Sequence, residues 1–345
     1  MKPVISLLFA ATSLLAPGFA HSQPQPGVSP EPGTSSVRRD RPTGVAPGTY
    51  VCPTLTIDAG GRIISATNGT CSGVPKESGR TLMTADRHYY YNCLTGSNSN
   101  PGTSEAPFAD PAHAYKFDQQ TLDHAGKYTT IVHQQGSCTP AMSPDPYGWP
   151  VGWLFVGPLF GALGVDSFRI TGEGIGSIVN GSEGGYVFES LSDAAITVAN
   201  LNCVPGPKGG CWLSANGLMK IENVWGATNG ANSLIDAAGP RSVVEVRNLV
   251  LRAMGAPMNT VVIMEDGAWA NMRGEWIMSG IPAFYAFVQA DISGIIDLTG
   301  FSSSGEASGH RAAAYQNGVV FTDTKGIAVL PGSMDGVSDT GGRIQ

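Results

Sequence analysis

The sequence predicts an all-β protein built as a parallel β-helix (a β-solenoid), with an N-terminal hairpin. Three observations carry the prediction. From about Gly185 to Gly332 the chain repeats a short strand, a polar turn, a second strand and a looser return. With Val187, Trp212, Leu234, Val262, Val288 and Val320 as markers, the steps are 25, 22, 28, 26 and 32 residues, the repeat length of a solenoid coil. Gly and Pro contribute 46 and 24 of 345 residues, which favours many turns over long helices. Charged residues make up only 14% against 42% hydrophobic, so most of the chain can bury a core.

Taken from the start, Lys2 precedes an apolar run from Val4 to Ala16 and then Pro17-Gly18-Phe19-Ala20. That is the layout of a signal peptide over residues 1–22, with cleavage near Ala20 or Ser22. The run is short for a spanning helix, which needs about 20 apolar residues. Val151–Val165 is the closest later segment, and its Gly and Pro mark it as a cap or loop. The expectation is a secreted protein, periplasmic or extracellular, that does not span the membrane. Residues 23–47 are rich in Pro, Gly and Ser with no hydrophobic period, a linker. Residues 48–79 hold a hairpin unit. Leu55 and Ile57 alternate with Thr54 and Thr56, Asp58–Arg62 turns, and Ile63-Ile64 resumes extended structure.

Six cysteines, an even count, fit export. Cys52 and Cys71 flank the hairpin, Cys203 and Cys211 flank a loop, and Cys93 and Cys138 remain. The expected disulfides are therefore Cys52–Cys71, Cys93–Cys138 and Cys203–Cys211, one of the fifteen connectivities six cysteines allow. There is no C-x₂-C and no close His pair beside a carboxylate, so no metal is expected. Nor is a cofactor, because no Walker or dinucleotide motif appears. The net charge is −7, and Lys and Arg do not cluster beyond Arg39–Arg41, which argues against nucleic acid as a partner.

Three stretches carry a family resemblance. The hairpin unit Thr56–Ile63 is similar to one found in phage and prophage tail fibres. His88–Ala109, with Tyr89-Tyr90-Tyr91, an Asn/Gly-rich loop and Pro107-Phe108, resembles the lead-in motif of tail-fibre and pectate-lyase-like β-helices. The end of the chain, with Leu330-Pro331-Gly332, Gly336 and Gly341-Gly342, looks like the terminus of prophage tail-fibre proteins, with Ile344 in place of the usual aromatic residue. The resemblance implies a right-handed single-stranded parallel β-helix over residues 80–345, with a cap helix at about 110–125. It also implies a homotrimer and a structural or glycan-binding role at a polysaccharide or cell-surface glycan, without catalysis. Virion tail proteins do not normally carry an export signal, so the combination points to a secreted, host-encoded relative.

Within the solenoid, Tyr128–His133 reads as the first rung and Phe168–Gly174 with Gly176–Asn180 as the next. Gly136–Pro158 is irregular, with Trp149 and Trp153 on a side insertion or completing the cap. Alternation places Ile196 and Val198, Met219 and Ile221, and Val244 and Val246 inside. Asn200, Asn223 and Asn248 recur at one point of three lines and read as an Asn ladder in a tight turn, each amide bonding the next turn's backbone.

Chemistry would have to sit on the outer surface. Glu189, Ser214, Asp236, Gln289 and Thr322 fall near one column, and Glu265 or Asp266 joins it depending on register. Carboxylates two lines apart would be about 9.6 Å apart by rung spacing, beside the range of about 6.5–9.5 Å for inverting glycoside hydrolysis. A polysaccharide lyase or glycoside hydrolase is thus the alternative function, with Glu189, Asp236 and Glu265 as catalytic candidates. A calcium-dependent lyase could draw on Arg247, Arg252 and Arg273 with Glu245 and Glu265, although surface charge pairing accounts for these equally well. A serine hydrolase lacks its G-x-S-x-G, and His310 reads as a loop residue. For glycan binding, Trp225 and Trp276, placed just after their strands, and Tyr285 are the candidate contact aromatics. Trp212 reads as core.

Overall fold

The computed structural model describes residues 53–58, 63–68 and 79–345. The expected signal peptide, the linker and the Cys52–Cys71 pair lie outside the described residues. The chain divides into two units at Val74 and Pro75. In the first, Pro53–Ile57 and Ile63–Asn68 pair antiparallel, Leu55 opposite Ala66 and Thr56 opposite Ser65.

The second unit is a parallel β-solenoid of about seven turns. One long sheet takes the first strand of each turn, including Arg87–Tyr91, Thr129–His133, Phe168–Gly172, Ala195–Ala199, Leu218–Ala227, Val243–Arg252, Trp269–Ser279, Ile295–Asp297 and Val319–Phe321. A second sheet takes the return strands, including Pro150–Val156, Tyr186–Leu191, Gly210–Ala215, Ser233–Ala238, Met258–Glu265, Ala283–Ala290 and Ser308–Ala314. The first sheet stacks Ile196, Met219, Val244, Ala270 and Ile296 in one inward column and Val198, Ile221, Val246 and Met272 in the next. All are buried.

The second sheet departs from strict alternation. Five successive turns bring two consecutive residues into the core: Val187-Phe188, Cys211-Trp212, Leu234-Ile235, Val261-Val262 and Phe287-Val288. Only the next residue faces out. The aligned column is Phe188, Trp212, Ile235, Val262, Val288 and Ala312, with even steps of 24, 23, 27, 26 and 24 residues. The 32-residue step in the sequence arises because Val320 belongs to the first sheet, not the second.

The cap helix spans Pro111–Thr121, shorter than 110–125. Asp110 caps it by accepting from the His113 N–H at 2.6 Å, and Pro111 supplies a preset φ where no N–H is needed. It stops early because Leu122–Asp123 turns extended to pair with Thr81–Leu82. Tyr115 lies edge-on to Phe155 and Phe168, covering core rings at the solenoid end.

Two further stretches differ from expectation. Gly136–Pro158 is not irregular throughout: Val151, Trp153 and Phe155 are buried, and Pro150–Val156 is a full rung against Tyr186–Leu191. Gly152 leaves room for Pro140 there, which masked the pattern. The repeat also predicts a second strand at Gly326–Leu330 in the last line, and Ile327–Val329 forms a 3₁₀ turn there instead.

Cys93–Cys138 and Cys203–Cys211 are disulfides. Asn200, Asn223 and Asn248 all adopt left-handed φ of 51°, 53° and 55°. Their side chains link differently from a uniform ladder. Asn248 donates to the Asn223 side-chain oxygen at 2.9 Å, whereas Asn200 donates to the Thr171 hydroxyl at 3.2 Å. Only Asn248 meets the next turn's backbone, accepting from Glu275 N–H.

Candidate functional site: an acidic cleft on the second sheet

The outer face of the second sheet carries a cleft of about 510 Å³. Its floor is set by register. Leu154, Glu189, Leu213, Asp236, Ile263 and Gln289 form one outward column. Glu189 and Asp236 are thus two turns apart, about 9.6 Å by rung spacing. A second column runs Leu191, Ala215, Ala238 and Glu265. The two alanines leave a trough, and Glu265 closes it.

One wall comes from the hairpin that precedes Pro150–Val156. Asp145 organises it as an Asx turn: its Oδ1 accepts from the N–H groups of Tyr147 at 2.9 Å and Trp149 at 2.6 Å. Tyr147 and Trp149 are thereby held at the cleft with 64% and 62% of their surface exposed. Asp145 itself is buried, and the protonated Glu189 carboxyl is its side-chain partner.

Tyr186 lies at the other side. Its hydroxyl donates to Asp236 Oδ2 at 2.5 Å and lies 2.7 Å from Ser233 Oγ. Gly210 makes this possible, because a Cβ there would fall 2.2 Å from the Tyr186 ring and 2.5 Å from the Ser233 carbonyl oxygen. Gly210→Ala should therefore cost about 1–3 kcal/mol through overpacking. The urea midpoint checks it, and an unchanged midpoint would show that the ring is free to move aside.

The electrostatics are dominated by acids without counter-ions. Glu189 is 0% exposed, and its protonated carboxyl has Asp145 as its side-chain partner. Burial, with the neighbouring Asp145, pushes it up to about 8. Burial raises Asp236 to about 6, although the Tyr186 and Ser233 hydroxyls hold it down in part. Burial, then Asp236, Asp291 and Asp266, raise Glu265 to about 7. Among the described residues Lys208 is the only basic one lining the cleft, and it lies 3.8 Å from Glu183. No group of His, Cys, Asp or Glu among the described residues could hold a metal ion.

The structure thus brings Glu189, Asp236, Glu265 and Asp266 to one cleft. Gln289 lies in the same column two turns further on, where it accepts from Thr260. Ser214 does not join them: it faces inward, one residue out of register, and donates to the Gly217 carbonyl. Thr322 follows a first-sheet strand and bonds the Gln345 carbonyl. Arg247 pairs with Glu245 on the first sheet, away from Glu265 on the second. Arg273 follows Arg247 there, bonding Asn271, and Arg252 ends the same strand. His310 sits in a strand, with its Nδ1 2.7 Å from the Asp335 carbonyl oxygen.

The three candidate aromatics do not converge. Trp276 is fully buried, a correction to its reading as an exposed contact. Trp225 is half-buried on the first sheet, in register with Val250 and Ile277. Tyr285 is exposed on the second sheet, its hydroxyl 2.8 Å from that of Tyr315. The cleft residues the sequence reading missed are Asp145, Tyr147, Trp149 and Tyr186. The signal for three of them was present, since Asp145-Pro146-Tyr147-Gly148-Trp149 is a turn sequence that displays two aromatic rings. No protein-family model, no curated protein and no solved structure matches the chain.

Proposed function

We propose that the chain is a secreted, tail-fibre-like β-solenoid that binds a polysaccharide or cell-surface glycan in the cleft on its second sheet. The observation that carries the reading is the pair of exposed rings, Tyr147 and Trp149, held by Asp145 beside carboxyls that lack counter-ions. Apolar ring faces suit the C–H faces of sugars, and the acids suit donors on the ligand. The two disulfides support an oxidising compartment, and no helix among the described residues is long and apolar enough to cross a membrane. A glycan array tests the proposal. Trp149→Ala should weaken the best glycan at least tenfold, about 1.4 kcal/mol, without lowering thermal stability. An array with no binder would overturn it.

One observation favours a hydrolytic second reading. Glu189 is set to hold its proton at neutral pH while Asp236, two turns away, is largely ionised. That is the division of labour between a general acid and a base. Release of reducing ends from bacterial polysaccharide, abolished in both Glu189→Gln and Asp236→Asn, would establish catalysis.

A further inference from the structure

The solenoid neutralises its acids in one place and not in another. On the first sheet Glu222 is paired with Arg169 and Lys220, Lys220 also holds Asp166, and Glu245 is paired with Arg247. On the second sheet Asp145, Glu189, Asp236, Glu265 and Asp266 line one cleft, and no arginine among the described residues lines it. Oδ1 of Asp236 is buried there without a partner, and Glu189 and Asp145, buried side by side, have only each other and the one proton that Glu189 keeps. Leaving buried acceptors unpaired is costly unless something donates to them. The cleft is also set against anions, because a uronic acid chain would place its carboxylates among like charges.

From the unpaired carboxyls and the two aromatic rings we infer that the cleft takes a glycan with free amino groups, a de-N-acetylated hexosamine chain. The ammonium lies among Asp236, Glu265 and Asp266, and the sugar face lies on Trp149 or Tyr147. An ammonium offers three donors and one positive charge, which answers unpaired acceptors without the tight ligand geometry a metal ion needs. Exposed rings add stacking and cation–π attraction. An N-acetyl group would remove the charge and add bulk. Lys208 lies at the cleft, exposed and near Glu183, so it leaves the inner carboxyls open. Because those carboxyls sit above their ordinary range when the cleft is empty, a bound ammonium should drive protons off them.

The inference rests on the glycan-binding reading, and one titration series separates the two. Isothermal calorimetry at pH 6 would compare hexamers of glucosamine, N-acetylglucosamine and galacturonate with a lysine hexamer, in two buffers of different ionisation enthalpy. The glucosamine hexamer should bind at least tenfold more tightly than each of the others and release protons, seen as a buffer-dependent heat. Its affinity should fall at least tenfold in Asp236→Asn and in Glu265→Gln. The second variant alters a half-buried residue at the rim and keeps the test valid if the first does not fold. Preference for the acetylated or uronate chain would overturn the amino-sugar inference and leave glycan binding standing. Failure of all three sugars to bind would overturn both. A lysine hexamer as tight as glucosamine, or heat independent of the buffer, would overturn the amino-sugar inference.

Discussion

Glu189→Gln should be more stable than the wild type at pH 8 and equal to it at pH 4. Glu189 ionises near 4.5 in an unfolded chain and only at about 8 in the folded cleft. Below pH 4.5 it carries its proton in both states and costs nothing. Between 4.5 and 8 the unfolded chain releases the proton while the folded chain keeps it. The folded state then binds more protons, and stability falls as pH rises. Above 8 the loss is complete. A shift of this size corresponds to on the order of 3–5 kcal/mol at about 1.4 kcal/mol per unit, an upper bound if the cleft relaxes on ionisation. Glu265 and Asp236 are displaced in the same direction, to about 7 and 6, so the wild type should lose stability progressively from about pH 4 to pH 8. An amide at position 189 cannot ionise, and its N–H can donate to Asp145 in place of the carboxyl O–H. Urea unfolding at pH 4, 6 and 8 decides the matter. The variant's curve should flatten most between pH 6 and 8; two parallel curves would mean that Glu189 is not the group responsible.

The same cleft shows how far the sequence could be read. The repeat was legible because stacked turns must each bury apolar residues, and the inward columns of the first sheet follow plain alternation, as with Ile196 and Val198. Glu189 and Asp236 could be aligned because intervening strands differ little in length. Where two consecutive residues enter the core, as at Val187-Phe188, alternation fails and Ser214 falls inside, whereas Trp276 falls inside through the register shift between Arg247 and Leu249. No repeat arithmetic could supply Asp145. It reaches the cleft from a hairpin 44 positions before Glu189 in the chain, brought there by the pairing of Pro150–Val156 with Tyr186–Leu191. The contact that most alters the chemistry of Glu189 is thus tertiary. Short turn signals indicated a loop with two rings but not what the loop would cover.

Trp276→Ala should cost about 3–5 kcal/mol, the range for deleting a large buried aromatic side chain. Trp225→Ala, on the same sheet, should cost far less. Both residues follow a short strand motif in the sequence, and both looked free to contact a ligand. In the fold, the pairing of Val243–Arg252 with Trp269–Ser279 shifts register between Arg247 and Leu249. Trp276 consequently falls opposite the buried Leu249, whereas Trp225 aligns with the outward Val250 and Ile277. Trp276 is 0% exposed and packs against Phe287 and Phe301 at 5.5 and 5.6 Å between ring centres. Its indole N–H has no partner, so part of what the ring contributes through burial is offset by an unpaired donor. Trp276→Phe removes that donor and keeps most of the ring. It should therefore cost less than half as much as Trp276→Ala, in equilibrium urea unfolding of both variants. Equal losses would show that a phenyl ring does not fill this site and that the unpaired donor offsets little, and a loss for Trp225→Ala as large as for Trp276→Ala would mean that the register shift does not separate the two faces as described.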